Sequence, residues 1–149
     1  MTYTNVGGET VDPARDRPGL VLRTLLGATL AGTSSVALVL WGVRLLISHA
    51  PPPTSSPGAG PAFPLLVGGV LASSLLAAGL AWWRLAPLTA TWRRGVFAMI
   101  GALGTIVGAL AATPIHFHFG EKGLLLLAGV SAIVSILALW AAGPRPATA

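Results

Sequence analysis

Four apolar stretches without charged side chains constrain this sequence more than any other feature. Each uncharged stretch is about 20 residues long, which is the length that a helix needs to cross ~30 Å of hydrocarbon. Inside lipid the backbone amides and carbonyls have no water to bond, so they must bond within the helix. The sequence therefore predicts an all-α integral membrane protein with four transmembrane helices in an up-down bundle.

The predicted spans cover about 20–48, 62–83, 95–113 and 123–142. Residues 1–19 are expected to form a flexible cytoplasmic tail, 49–61 a Pro-rich outer loop, and 144–149 a short cytoplasmic tail. A cleaved signal peptide is the alternative for the first span. Its apolar region would be shorter, about 7–15 residues, and Pro51 would hinder cleavage after Ala50. An uncleaved helix is therefore predicted.

Composition excludes several functional classes. Hydrophobic residues make up 54% of the chain and charged residues 9%, whereas soluble domains carry about 25% charged residues. There is no cysteine, so disulfides, thiolate metal sites and cysteine nucleophiles are excluded. The net charge of +5 comes from basic residues beside the apolar stretches, so we expect a lipid bilayer as partner and no nucleic acid.

The basic residues also predict the orientation. After an even number of crossings, seven of them fall on the side of the two termini: Arg15, Arg17, Arg23, Arg84, Arg93, Arg94 and Arg145. Only Arg44 and Lys122 fall on the other side. Cytoplasmic loops carry the excess of Lys and Arg, so both termini are predicted to be cytoplasmic. The excess of Arg over Lys, with much Ala, Gly and Pro, is typical of a GC-rich bacterial source, which suggests the bacterial plasma membrane.

Small residues recur every three or four positions in the third span. They are Gly101, Gly104, Gly108 and Ala112. This spacing places them on one helix face, where missing side chains let two helices approach closely. Packing within the four-helix bundle is the first interpretation. Contact with a second copy or with another membrane subunit is the alternative.

The polar residues that could bind a metal ion or change protonation state lie at the outer ends of the spans. His49 follows the first span, and His116, His118 and Glu121 lie between the third and fourth. Pro114 and Gly120 favour an extended connector, in which residues two apart share a face. A zinc or copper(II) site formed by the three histidines and Glu121 is one hypothesis. An ordinary amphipathic connector and a pH-responsive site are the alternatives.

Arg44 lies about one turn inside the outer end of the first span. Its long side chain can reach the headgroups while its methylene groups stay in lipid. The second hypothesis is an ion pair with Glu121, the only acidic residue predicted on that side.

The centres of the spans contain no Asp, Glu, Lys, Arg or His. Proton-coupled transport usually needs such a group, and serines at that depth have no base to activate them. The leading expectation is a non-catalytic accessory or scaffold component of the membrane. A metal-binding or redox-linked protein and an oligomeric small transporter or channel are the alternatives.

Overall fold

A computed structural model describes residues 3–4, 10–11, 18–49, 62–86 and 91–142. Its helices are α1 (Pro18–His49), α2 (Ala62–Leu85) and α3 (Thr91–Ala141). All three are long and apolar enough to cross a membrane. Most of the predicted N-terminal tail, nearly all of the Pro-rich loop 49–61 and the C-terminal tail 144–149 lie outside the described residues.

A short antiparallel ladder precedes the helices. Its strands are β1 (Tyr3–Thr4) and β2 (Thr10–Val11), with Tyr3 opposite Val11. The sequence predicted no regular element here, because strands of two residues are too short to show an apolar alternation.

The start of α1 follows from local chemistry. Pro18 is the first helical residue, and proline suits this position because its φ is already helical and its missing N–H has no intrahelical partner there. The helix continues for 32 residues to His49. Pro51 then follows in the sequence, and proline inside a helix removes a hydrogen bond and clashes with the preceding turn.

The third helix is broken at Gly120. This residue has φ 61° and ψ −143°, which are not helical angles. Gly108 approaches Thr33 of α1, and Ser34, the next residue of α1, donates a hydrogen bond to the carbonyl of Ala128. In a straight helix residues 108 and 128 would lie about 30 Å apart. The chain therefore bends back at Gly120, and residues 91–119 and 121–141 both pack on α1.

Contacts along the helices give their relative directions. Residues 91–119 run parallel to α1, because a Cβ at Gly104 would contact Thr29 and one at Gly108 would contact Thr33. Residues 121–141 run antiparallel to α1, because Ser135 donates to the carbonyl of Gly27 at 2.7 Å while Ala128 accepts from Ser34. The second helix is also antiparallel to α1, since Ser73 bonds Ser35 and Gly69 lies against Val39.

Small and hydroxylated residues fill the interior, whereas large apolar side chains face outward. Ala28, Ala77 and Ala112 are fully buried, but Leu75 is 73% exposed and Leu110 is 69% exposed. Soluble proteins rarely expose apolar patches of such extent. Helices in membranes associate through small residues because lipid tails already solvate the large ones. The packing is thus typical of helices surrounded by lipid.

Several buried hydroxyls donate hydrogen bonds to backbone carbonyls. Ser34 and Ser135 donate across helix pairs, at 2.9 Å to Ala128 and at 2.7 Å to Gly27. Thr105 donates to the carbonyl of Gly101 within its own helix at 3.0 Å. Such bonds between membrane helices are each worth about 0.6 kcal/mol on average. They hold the interior together without placing a charge in it.

The predicted packing residues lie at contacts within the chain. A Cβ on Gly104 would stand 2.7 Å from Cγ2 of Thr29, one on Gly108 would overlap Thr33, and one on Gly101 would stand 3.5 Å from the carbonyl of Ala77. Ala112 is fully buried. Contacts inside the bundle therefore occupy this small-residue face.

Candidate functional site at the Arg44 end of the bundle

Arg44 and Glu121 come together where α3 bends. The Nε of Arg44 lies 3.1 Å from Oε1 of Glu121, and the two side chains are 42% and 44% exposed. Glu121 is the first residue after the break, and a Cβ on Gly120 would stand 3.9 Å from a terminal nitrogen of Arg44. The guanidinium thus lies over the bend and joins the last part of α1 to the start of residues 121–141.

We expect a measurable but modest coupling between these two charges. In a double-mutant cycle with Arg44→Gln and Glu121→Gln, the coupling free energy of unfolding in detergent should be about 0.2–1 kcal/mol, as for other half-exposed ion pairs. The charge-swapped variant Arg44→Glu/Glu121→Arg should recover part of the loss seen in Arg44→Glu. A coupling of zero, together with no recovery in the swapped variant, would show that the pair contributes nothing to stability.

The three histidines are not gathered into one site. Nδ1 of His49 lies 2.8 Å from the carbonyl of Leu45, and Nδ1 of His118 lies 2.9 Å from the carbonyl of Pro114. His116 is half-buried, and its Nδ1 is enclosed without a hydrogen-bond partner. Among the residues that the structure describes, no three His, Asp or Glu side chains lie close enough to hold a metal ion.

The prediction of an extended connector between Pro114 and Gly120 is wrong. The helix passes through Pro114 and continues to Phe119, and only Gly120 departs from helical angles. Proline removes one backbone N–H, a loss that neighbouring helices allow in membrane proteins. On a helix, residues two apart point about 200° away from each other. His116 and His118 therefore face different directions, and the geometric basis for the metal hypothesis is lost.

A partly open cavity of about 490 Å³ lies beside the ion pair. It is bounded by α1, α2 and residues 106–117 of α3, and almost all of its wall is apolar. Its lining residues are Val36, Leu40, Val43, Arg44, Ile47, Leu66, Val70, Ile106, Ala109, Leu110, Thr113, His116 and Phe117. Binding sites for small molecules are typically apolar clefts of this size with a few polar groups.

The polar groups of the cavity are concentrated at one end. Arg44, Thr113 and His116 lie in the last turns of their segments, whereas Val36 and Ile106 lie deeper in the bundle. The cavity thus combines an apolar wall with hydrogen-bonding side chains at one end. This arrangement suits a molecule with an apolar tail and a polar head.

Three residues at this end were predicted from the sequence as candidate site residues, namely Arg44, His116 and Glu121. The cavity was not predicted. One signal was present in α1. Val36, Leu40, Val43 and Ile47 recur every three or four residues, and all of them line the cavity. Such a stripe normally predicts a helix contact, so the sequence alone gives no reason to expect a space there.

Comparisons with known proteins add no relative. The chain matches no protein-family model, and no curated protein or solved structure proved similar to it. The fold and the cavity themselves define the class: a small helical protein with three apolar helices long enough to cross a membrane.

Proposed function

We propose that this chain is a multi-pass protein that crosses the bilayer four times in up-down order, with both termini in the cytoplasm. The bend at Gly120 and the contacts of both parts of α3 with α1 support four crossings. The part after the bend, residues 121–141, is about 31 Å long at the helical rise, enough for the hydrocarbon layer. The seven basic residues on the side of the termini support the orientation.

The protein acts as a non-catalytic accessory component of the membrane. The buried hydroxyls of Thr33, Ser34, Ser73 and Thr105 donate to backbone carbonyls. A serine or threonine nucleophile needs an adjacent base, and the described histidines lie at the end of the bundle, away from Ser34 and Ser73. The interior therefore supports packing and binding, not bond breaking.

The cavity is the working site, and it holds the apolar chain of a lipid-like molecule. The single observation that carries this proposal is the apolar cavity of about 490 Å³ with Arg44 and His116 at one end. Arg44 lies five residues before the end of α1, about 8 Å along the helix. Its guanidinium can reach the headgroup level. A tail in the cavity would thus bring a polar head with hydrogen-bond acceptors next to Arg44.

A spin-labelled fatty acid tests this proposal. The detergent-purified chain is titrated with nitroxide-labelled stearic acid, and the immobilised fraction is measured by electron paramagnetic resonance. Wild type should bind about one equivalent, and Ala109→Trp, which fills the cavity, should lose this binding. The matched control Ala111→Trp lies two residues away, outside the lining and exposed, and should bind as wild type does.

A second variant that fills the cavity shows whether the loss of binding in Ala109→Trp results from misfolding. Val70→Phe enters the cavity from α2 instead of α3 and should cause the same loss while helix content and elution volume stay unchanged. Equal binding by wild type and both filled variants would refute the cavity as the site, and so would a wild type that binds no labelled fatty acid.

A further inference from the structure

The opposite end of the bundle carries a cluster of arginines and tryptophans that the proposed function does not use. It is formed by Arg84, Arg93, Arg94, Trp82, Trp83 and Trp92, which we call the Arg–Trp cluster. The cluster joins the end of α2 to the start of α3. A Cβ on Gly95 would lie 3.9 Å from the ring of Trp82, so this ring packs across the two helices.

Each arginine of the cluster lies over an indole ring. The distance from the guanidinium carbon to the ring centre is 5.4 Å for Arg84 and Trp83, 5.9 Å for Arg93 and Trp92, and 5.7 Å for Arg94 and Trp82. A cation over an aromatic face is attracted by the ring quadrupole. The rings thus hold the three positive charges near the depth that tryptophan prefers, which is the headgroup level of a membrane.

The charge around the cluster is strongly positive. Arg23 of α1 lies at the same end, because Val21 packs in one apolar cluster with Ala81 and Leu85. Within the described parts of the chain the only acidic residue is Glu121, at the other end of the bundle. The first 17 residues contribute three acids and two arginines, so an excess of positive charge remains when they are counted.

We propose that the Arg–Trp cluster binds the phosphate headgroups of anionic phospholipids in the cytoplasmic leaflet. Guanidinium groups bind phosphate with charge-assisted hydrogen bonds, and the indole rings pack against the upper parts of the acyl chains. The anionic cytoplasmic leaflet attracts basic residues near its surface. This site goes beyond the proposed function, although it relies on the same membrane crossing, and it lies at the opposite end from the cavity.

Brominated lipids test the proposal through tryptophan fluorescence, because three of the five tryptophans of the chain belong to the cluster. The full chain is reconstituted in phosphatidylcholine vesicles that contain equal mole fractions of either brominated phosphatidylglycerol or brominated phosphatidylcholine, and tryptophan quenching is compared. We expect stronger quenching by the anionic lipid. In Arg84→Gln/Arg93→Gln/Arg94→Gln, the relative association constant for the anionic lipid should fall by at least about fivefold, the ratio that corresponds to ~1 kcal/mol for one arginine.

Two further variants separate charge from structure. Replacement of the same three arginines by lysine should retain most of the preference, because the charge at the surface is kept. Removal of the positive charge of Lys122, which lies at the other end and outside the cavity lining, should leave the preference unchanged. An undiminished preference in the triple glutamine variant would overturn the proposal, and so would a loss in the Lys122→Gln control.

A salt comparison separates a lipid headgroup from free phosphate. Sodium phosphate and sodium chloride should both weaken the preference, because both screen exposed charges. A cluster that serves free phosphate instead of a headgroup would show no preference for the anionic lipid in phosphate-free buffer, and that result would overturn the lipid proposal. The filled-cavity variant Val70→Phe, which adds no tryptophan, should keep the preference, so a failed fatty-acid titration leaves this result intact.

Discussion

Gly108→Leu should destabilise the protein by about 1–3 kcal/mol, the usual cost of forcing extra methylene groups into a packed interior. A Cβ at this position would overlap the hydroxyl of Thr33 and stand 3.1 Å from its methyl group. Thr33 cannot turn away without a loss, because its hydroxyl donates to the carbonyl of Thr29 at 3.0 Å. The helices must therefore separate. The measurement is the free energy of unfolding in mixed micelles, obtained by titration with a denaturing detergent.

The matched controls are two glycines with open space around them. A Cβ on Gly79 or Gly129 would meet nothing within 4 Å, so Gly79→Leu and Gly129→Leu place the same side chain on an exposed helix face. Both should unfold at the same denaturant concentration as wild type or at a higher one, because leucine is the better helix former. If Gly108→Leu behaved like these controls, the close contact between α1 and residues 91–119 would be refuted.

Gly120→Ala should cost about 1–3 kcal/mol for a different reason, which is backbone strain. The angles φ 61° and ψ −143° lie close to a region that is essentially restricted to glycine. Space is not the obstacle, because the new Cβ would meet only a terminal nitrogen of Arg44 at 3.9 Å. The same unfolding titration measures the effect.

Two comparisons isolate the conformational cause. Gly129→Ala makes the same chemical change inside a regular helix and should cause no loss. The cost of Gly120→Ala should persist in an Arg44→Gln background, since it does not arise from contact with that side chain. A penalty that disappears in the Arg44→Gln background would contradict the strain argument, and an unaffected Gly120→Ala would contradict the bend itself.

The apolar helices were predictable because the requirement behind them is local. A run of about 20 uncharged residues has to satisfy its own backbone in lipid, whatever its neighbours are. The helix limits were less predictable. The third span was expected to end at about Thr113, yet the helix continues to Phe119 before the bend at Gly120. Pro114 alone does not end it, because the loss of one N–H is small beside the bonds that a membrane helix retains.

The ion pair and the cavity also differed in how far the sequence could predict them. Arg44 and Glu121 could be paired from sequence because Glu121 was the single acid predicted at that end, and their side chains lie 3.1 Å apart. The cavity could not be predicted, because side chains from three helices form it together and no single stretch of sequence defines it. The predicted cluster of histidines is not formed, because residues 116–118 are helical. Residues two apart share a face in an extended strand but point in different directions on a helix, so His116 and His118 are separated.

The absence of cysteine from the sequence permits a direct test of the four crossings. Single variants Thr2→Cys, Ser55→Cys, Thr89→Cys, Lys122→Cys and Thr148→Cys are labelled in oriented membranes with a membrane-impermeant maleimide. If the chain crosses four times, positions 2, 89 and 148 should react from one side only and positions 55 and 122 from the other side only. If the C-terminal cysteine reacted from the side opposite to the N-terminal one, α3 would cross the membrane only once. That result would contradict the proposed four crossings.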